Sequence, residues 1–113
     1  MIKINILIVD DEPGIRDIIR EFVKAEGYEA FEAANGIEAL EIFKKEEISA
    51  AIIDIMMPYM DGWTLTREIR KTSSVPVIML SARGEEYDKL FGFELGVDDI
   101  WSNRSVQESL WRE

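Results

Sequence analysis

The sequence predicts an α/β fold built as a doubly wound, five-stranded parallel sheet flanked by helices. Strand-like and helix-like hydrophobic patterns alternate along almost the whole chain, as successive βαβ units require. The run Pro76-Val77-Ile78-Met79-Leu80 is nearly all apolar, the pattern of a strand covered on both faces. Two further strand-like runs, Ile4 to Val9 and Ala50 to Asp54, end in carboxylates. In a parallel sheet those C-terminal ends lie together.

Taken in order, Ile4-Asn5-Ile6-Leu7-Ile8-Val9 predicts the first strand, ended by the adjacent acids Asp10 and Asp11. From Gly14 to Glu26, Ile15, Ile18, Ile19, Phe22 and Val23 recur at helical spacing, with Pro13 near the start and Gly27 past the end. That is an amphipathic helix with ordinary boundary residues. Tyr28 to Ala33 is short and β-compatible; Ile37 to Lys45 then places Ile37, Leu40 and Phe43 at helical spacing behind Asn35 or Gly36. Ala50 to Asp54 is the third strand. After a loop holding Pro58 and Gly62, Trp63 to Lys71 can form a helix on Leu65 and Ile69, and Ser73-Ser74 marks the next turn. Pro76 to Leu80 is the fourth strand, ended by Ser81. Glu85 to Leu95 carries Tyr87, Leu90, Phe91 and Glu94 at helical spacing and is closed by Gly96. Beyond it the pattern is irregular: Val97 to Trp101 is compatible with a fifth strand and Ser105 to Trp111 with a short last helix. Right-handed crossovers place any site at the strand C-termini.

A length of 113 residues is expected to form one domain. Acidic residues outnumber basic ones 23 to 13, giving a net charge of −10, and no basic stripe stands out. This argues against direct nucleic-acid binding. Cysteine and histidine are both absent, which removes disulfides, thiolate and imidazole ligands, and the usual general base. Any metal must be held by oxygen, which favours Mg2+, Mn2+ or Ca2+. The N-terminus starts a strand rather than a signal, and no apolar run approaches the roughly 18 residues of a membrane span. A cytoplasmic location without membrane association is expected.

Asp10, Asp11 and Asp54 converging on one cleft repel one another unless a divalent cation or a proton offsets the charge. Mg2+ suits such a cleft because it needs few protein oxygens, retains several waters and can take phosphate oxygens in its remaining positions. With the charge offset, Asp54 can attack a phosphoryl group and become an aspartyl phosphate, and the Ser81 hydroxyl could donate to a phosphate oxygen. Each residue alone has a plainer reading. Asp10 or Asp11 by itself is more often a helix N-cap, Asp61-Gly62 is turn chemistry, and Ser81 is a cap or loop residue. Met56, Met57 and Met60 read as loop packing, and Lys44-Lys45-Glu46-Glu47 as a solvated helix end. Only the combination points to chemistry.

Together these residues resemble the receiver domain of two-component response regulators. The resemblance runs from about Ile4 to Asp99 and rests on Val9-Asp10-Asp11-Glu12, on Asp54-Ile55-Met56-Met57-Pro58-Tyr59-Met60-Asp61-Gly62, and on Pro76-Val77-Ile78-Met79-Leu80-Ser81-Ala82. It implies a flavodoxin-like fold, a histidine kinase as phosphoryl donor and Asp54 as acceptor. It also implies Mg2+ held by Asp10, Asp11, Asp54 and the backbone carbonyl of Met56, with Ser81 as the switch hydroxyl. Such a chain is a phosphoacceptor rather than an enzyme, limited to self-phosphorylation from small donors and autodephosphorylation. The stretch Lys89 to Asp99 looks like the winged-helix transcription-regulator subfamily, whose receivers form homodimers through the fourth helix, fifth strand and fifth helix; the DNA-binding domain itself is not among these 113 residues. Two other functions compete. A metal-dependent phosphohydrolase of the haloacid dehalogenase type would need an Asp-x-Asp pattern after the first strand, which Asp10-Asp11-Glu12-Pro13 lacks. A pseudo-receiver would act as a docking surface alone.

The resemblance stops after Asp99, leaving residues 100–113 as an atypical tail. The family continues with an aromatic residue, two apolar residues and Lys-Pro-Phe, whereas this chain has Ile100-Trp101-Ser102-Asn103-Arg104-Ser105. Asn103 takes the lysine's place and brings no charge. Losing one charge-assisted hydrogen bond costs on the order of 1.5 to 3 kcal/mol, so impaired output with retained metal binding is expected. Codons permitted for Asp99 to Arg112 include a string that, read from the last base of the Asp99 codon, encodes YMVKPFSPRELVA, the missing family ending. A nucleotide lost near Asp99 accounts for the whole tail, and a frameshift is the hypothesis. Ser105-Val106-Gln107-Glu108 offers a capping-box pattern. Ser102 nonetheless replaces an apolar strand residue, and Trp101 and Trp111 are expected to be exposed or drawn into a non-native contact. The C-terminal strand and helix should therefore be marginal or rearranged.

Overall fold

The computed structural model describes residues 3–80 with their side chains and residues 81 and 99–102 as backbone. Five strands, β1 (Asn5–Val9), β2 (Glu29–Ala33), β3 (Ala50–Asp54), β4 (Val77–Ser81) and β5 (Asp99–Ser102), pair in parallel in the order β2-β1-β3-β4-β5. That is the flavodoxin-like, doubly wound order. The described helices are α1 (Pro13–Ala25), α2 (Gly36–Lys45) and α3 (Gly62–Arg70). Among the described residues no helix is long and apolar enough to cross a membrane.

Strand alternation explains the continuous apolar runs. On β1, Leu7 and Val9 join Ala39 of α2, Leu65 and Ile69 of α3, and Ala51, Ile53, Val77 and Met79 in one core layer. Ile6 and Ile8 point to the other face, where they meet Ile15, Ile19 and Val23 of α1 and Leu80 of β4. Both faces of the central strands are therefore dry, and every position must be apolar until the strand ends.

Local chemistry sets the helix ends. Pro13 opens α1, where its missing N–H would have had no partner. Gly27 closes it at φ 86°, donating to the Lys24 carbonyl at 2.9 Å while Tyr28 N–H reaches the Val23 carbonyl at 3.2 Å. The N-cap reading of Asp10 or Asp11 is corrected: Glu12 occupies that position and no side chain caps α1. Asn35 accepts from Glu38 N–H at 2.9 Å and Glu38 accepts from Ala34 N–H at 2.8 Å, a reciprocal arrangement that starts α2. Asp61 does more than turn the chain, since it caps α3 by accepting from Thr64 N–H at 2.8 Å.

The fifth strand is described over Asp99–Ser102, overlapping the expected Val97–Trp101 and reaching one residue further, and pairs with β4 from Ile78↔Asp99 to Ser81↔Ser102; Val97 and Asp98 lie outside the described residues. The helix expected at Glu85–Leu95 with its Gly96 cap, the helix expected at Ser105–Trp111, and Asn103 all lie outside the described residues.

Candidate functional site

The acidic cluster follows from strand register. β1 and β3 pair with Ile8 beside Ile52 and Val9 beside Ile53, so the next step brings Asp10 level with Asp54. A period of two puts both side chains on the face of Ile8 and Ile52, toward α1. Asp11 adds a third carboxylate from the following turn. One carboxylate oxygen from each of Asp10, Asp11 and Asp54 lies within 4.8 Å of the others. Asp10 is 1% exposed and Asp54 8%, while Asp11 is open to solvent.

Backbone groups hold the two buried acids. Asp10 N–H donates to the Ala33 carbonyl at 3.1 Å, and Asp10 Oδ1 accepts from Glu12 N–H at 2.9 Å. Asp10 Oδ2 is buried with no hydrogen-bond partner among the described residues. Asp54 Oδ1 accepts from Met56 N–H at 3.2 Å. The loop after β3 is drawn tight: Ile55 N–H donates to the Leu80 carbonyl at 3.0 Å and Gly62 N–H to the Ile55 carbonyl at 2.9 Å. A Cβ at Gly62 would overlap the Asp54 carbonyl oxygen and sit 2.8 Å from Ile55 Cα, so only glycine fits there. Met57 and Met60 pack on the core layer beneath α2 and α3, as loop packing predicts, whereas Met56 is 65% exposed.

Burial pushes Asp54 from an ordinary 3.8 up to about 7, the Asp10 and Asp11 charges add to the rise, and the Met56 amide opposes it. Asp10 is pushed up to about 6, again by burial first; the Glu12 amide and Arg16 oppose this while Asp11 and Glu12 reinforce it. Two buried carboxylates that resist ionisation, an exposed third and an orphaned Asp10 oxygen form an all-oxygen donor set deficient in positive charge. A hard divalent cation such as Mg2+ fits it.

The structure thus brings together Asp10, Asp11 and Asp54, with Met56 alongside. Ser81 lies on β4 at the same sheet edge, and its side chain is outside the described residues. Sequence reasoning missed Arg16, whose Nη1 donates to the Asp10 carbonyl at 2.6 Å. A six-residue separation across a strand-to-helix turn carries no motif that would have exposed it.

Comparison with known proteins agrees with this geometry. The family model described as "Response regulator receiver domain" matches residues 6–111. The protein named "Probable transcriptional regulator ycf27" of Porphyra purpurea is 50% identical over 97 residues, covering 86% of this chain and 40% of that protein. The chain spans about two fifths of the length of the curated relatives it matches. Among solved structures, the receiver domain of a Francisella response regulator superposes with a TM-score of 0.86 at 32% identity, covering 97% of this chain and 93% of that one. Thermotoga maritima TrrA, solved in complex with Mg(2+)-BeF, gives a TM-score of 0.79 at 32% identity, covering 96% and 97%.

Proposed function

This chain belongs to the response regulator receiver domain family, and on that premise we propose that it takes a phosphoryl group from a histidine kinase onto Asp54. The observation that carries the reading is the packing of Asp10, Asp11 and Asp54 within 4.8 Å, with one Asp10 oxygen buried and unpartnered. Asp10, Asp11, Asp54 and the Met56 carbonyl would hold Mg2+, which would supply charge neutralisation for both the cluster and the incoming phosphoryl oxygens. The Mg(2+)-BeF complex of TrrA supports this assignment.

Asp54 would act as the nucleophile. A carboxylate oxygen forms a bond to phosphorus as the phosphohistidine P–N bond breaks, and the electron pair departs with the imidazole. The Met56 N–H on Asp54 Oδ1 helps to orient the carboxylate. Ser81 at the end of β4 would donate its hydroxyl to a phosphoryl oxygen. The chain is thus a phosphoacceptor, encountering its kinase in the cytoplasm, with homodimerisation through the fourth-helix face and output impaired by Asn103. Transcription regulation is proposed for a full-length protein of the kind it matches.

Incubation with Mg2+ and acetyl phosphate, followed by intact-mass measurement, tests the assignment. A single phosphoryl group on the wild-type chain and none on Asp54→Asn is the expected outcome. Undiminished labelling of Asp54→Asn would remove Asp54 as the acceptor, and sustained turnover of small phosphate esters would favour the phosphohydrolase reading.

A further inference from the structure

Arg16 stands one turn into α1 and ties three elements together. Its backbone N–H donates to the Glu12 carbonyl at 3.1 Å, its Nη1 to the Asp10 carbonyl at 2.6 Å, and its Nε lies 3.5 Å from Glu32 Oε1 on β2. The side chain is largely covered, at 19% exposure. Glu32 is shared with Arg20, whose Nη1 lies 3.3 Å from Glu32 Oε2, and Arg20 also contacts Asp17 and Glu21. The carbonyl that Arg16 grips belongs to the peptide joining Asp10 to Asp11. That peptide sets the directions in which the two adjacent carboxylates leave the backbone.

We infer that Arg16, clamped by Glu32, is a positioning residue for the divalent-cation site, fixing the Asp10–Asp11 peptide so that the free Asp10 oxygen and the Asp11 carboxylate face Asp54 together. The inference rests on the reading that these carboxylates hold Mg2+. Groups that orient a metal's ligands without touching the metal commonly govern affinity as strongly as some ligands do. The choice of arginine is specific: its planar fork serves the carbonyl and the carboxylate at once, whereas a lysine ammonium is a single point donor.

Charge and positioning predict opposite signs. As a cation near the cluster, Arg16 repels Mg2+, so removing the charge alone would tighten binding. As a positioning group, its removal loosens binding despite the lost repulsion, and Arg16→Lys loosens it with the charge kept.

Mg2+ titrations of the intact chain by calorimetry, with backbone amide spectra to monitor folding, separate these outcomes. High ionic strength screens the long-range effect of the Glu32 charge. Arg16→Gln is expected to weaken Mg2+ on the order of tenfold, with Arg16→Lys and Glu32→Gln showing smaller losses in the same direction. Unchanged or tighter binding in folded Arg16→Gln and Arg16→Lys would overturn the inference. Should the Arg16 variants fail to fold, wild-type affinity in Glu32→Gln would overturn it instead. Asp10→Asn separates the two layers of argument: if it binds as wild type does, the metal reading itself fails. Loss in Asp10→Asn beside unchanged Arg16 and Glu32 variants sinks only the role of Arg16.

Discussion

Asp54 and Asp10 work against the fold when ionised and toward the chemistry for the same reason. Their values in the folded chain, about 7 and about 6, stand above the ordinary 3.8 because burial disfavours the charged form. The folded state therefore binds more protons than the unfolded state between about pH 4 and 7. The stability these groups contribute is fully present below the unfolded value and is lost as pH rises through the folded values. Urea denaturation without Mg2+ is expected to show unfolding free energy falling across that window. Asp10→Asn should remove part of the fall, and saturating Mg2+ should offset most of it; a flat profile in the metal-free protein would contradict the electrostatic account. Tyr59 presents a second local conflict, with φ of 71° and 88% exposure. A bulky L-residue in the left-handed region is strained by about 1 kcal/mol or more relative to residues that tolerate it. Tyr59→Asn is expected to raise the thermal midpoint without changing Mg2+ affinity.

Among the elements, the loop from β3 to α3 decides whether Asp54 is presented correctly. Gly62→Ala would push a methyl group into the Asp54 carbonyl and Ile55, neither of which can yield without moving β3. A loss of roughly 1 to 3 kcal/mol is expected from such overpacking, together with weaker Mg2+ binding. Asp61→Ala removes only the α3 cap and should cost about 1 kcal/mol while leaving Mg2+ affinity alone. Chemical denaturation beside metal titration distinguishes the two. This pair also marks the limit of what could be read from the chain. Hydrophobic periodicity with Pro13, Gly27 and Asn35 located α1 and α2 to within a residue, because those residues act on neighbours in sequence. The acids Asp10 and Asp54 were legible because alternation and parallel pairing are general rules, and the rules put them side by side. The tight approach of Gly62 and the reach of Arg16 to Asp10 depend on backbone groups brought close only by folding. The extension of β5 to Ser102 was hidden because the residues around it do not alternate.

For the whole molecule, the outstanding matter is whether events at Asp54 reach the rest of the sheet. Asp54 pairs in register with Leu80 on β4, and Ser81 with Ser102 on β5, so the strand that carries Asp54 is two ladders away from the end of β5. By the resemblance to receiver domains, Asn103 takes the sequence position of a lysine whose ammonium would bond the phosphoryl group, and an amide there brings no charge. The coding DNA is expected to read YMVKPFSPRELVA when taken one base out of frame from codon 99, and a sequence that cannot do so would remove the frameshift hypothesis. The physical consequence is tested separately. With Mg2+ and beryllofluoride, amide resonances around Asp10, Asp54 and Met56 should shift both in this chain and in a version carrying the family ending, since the acidic cluster is common to both. Shifts should extend across β4 and β5 only with the family ending. Asn103→Lys alone should recover the portion due to one charge-assisted hydrogen bond, on the order of 1.5 to 3 kcal/mol, and the restored apolar strand positions the remainder. An equal spread of shifts in the unaltered chain would show that the sheet transmits the event without the lysine, and the proposed impairment of output would be wrong.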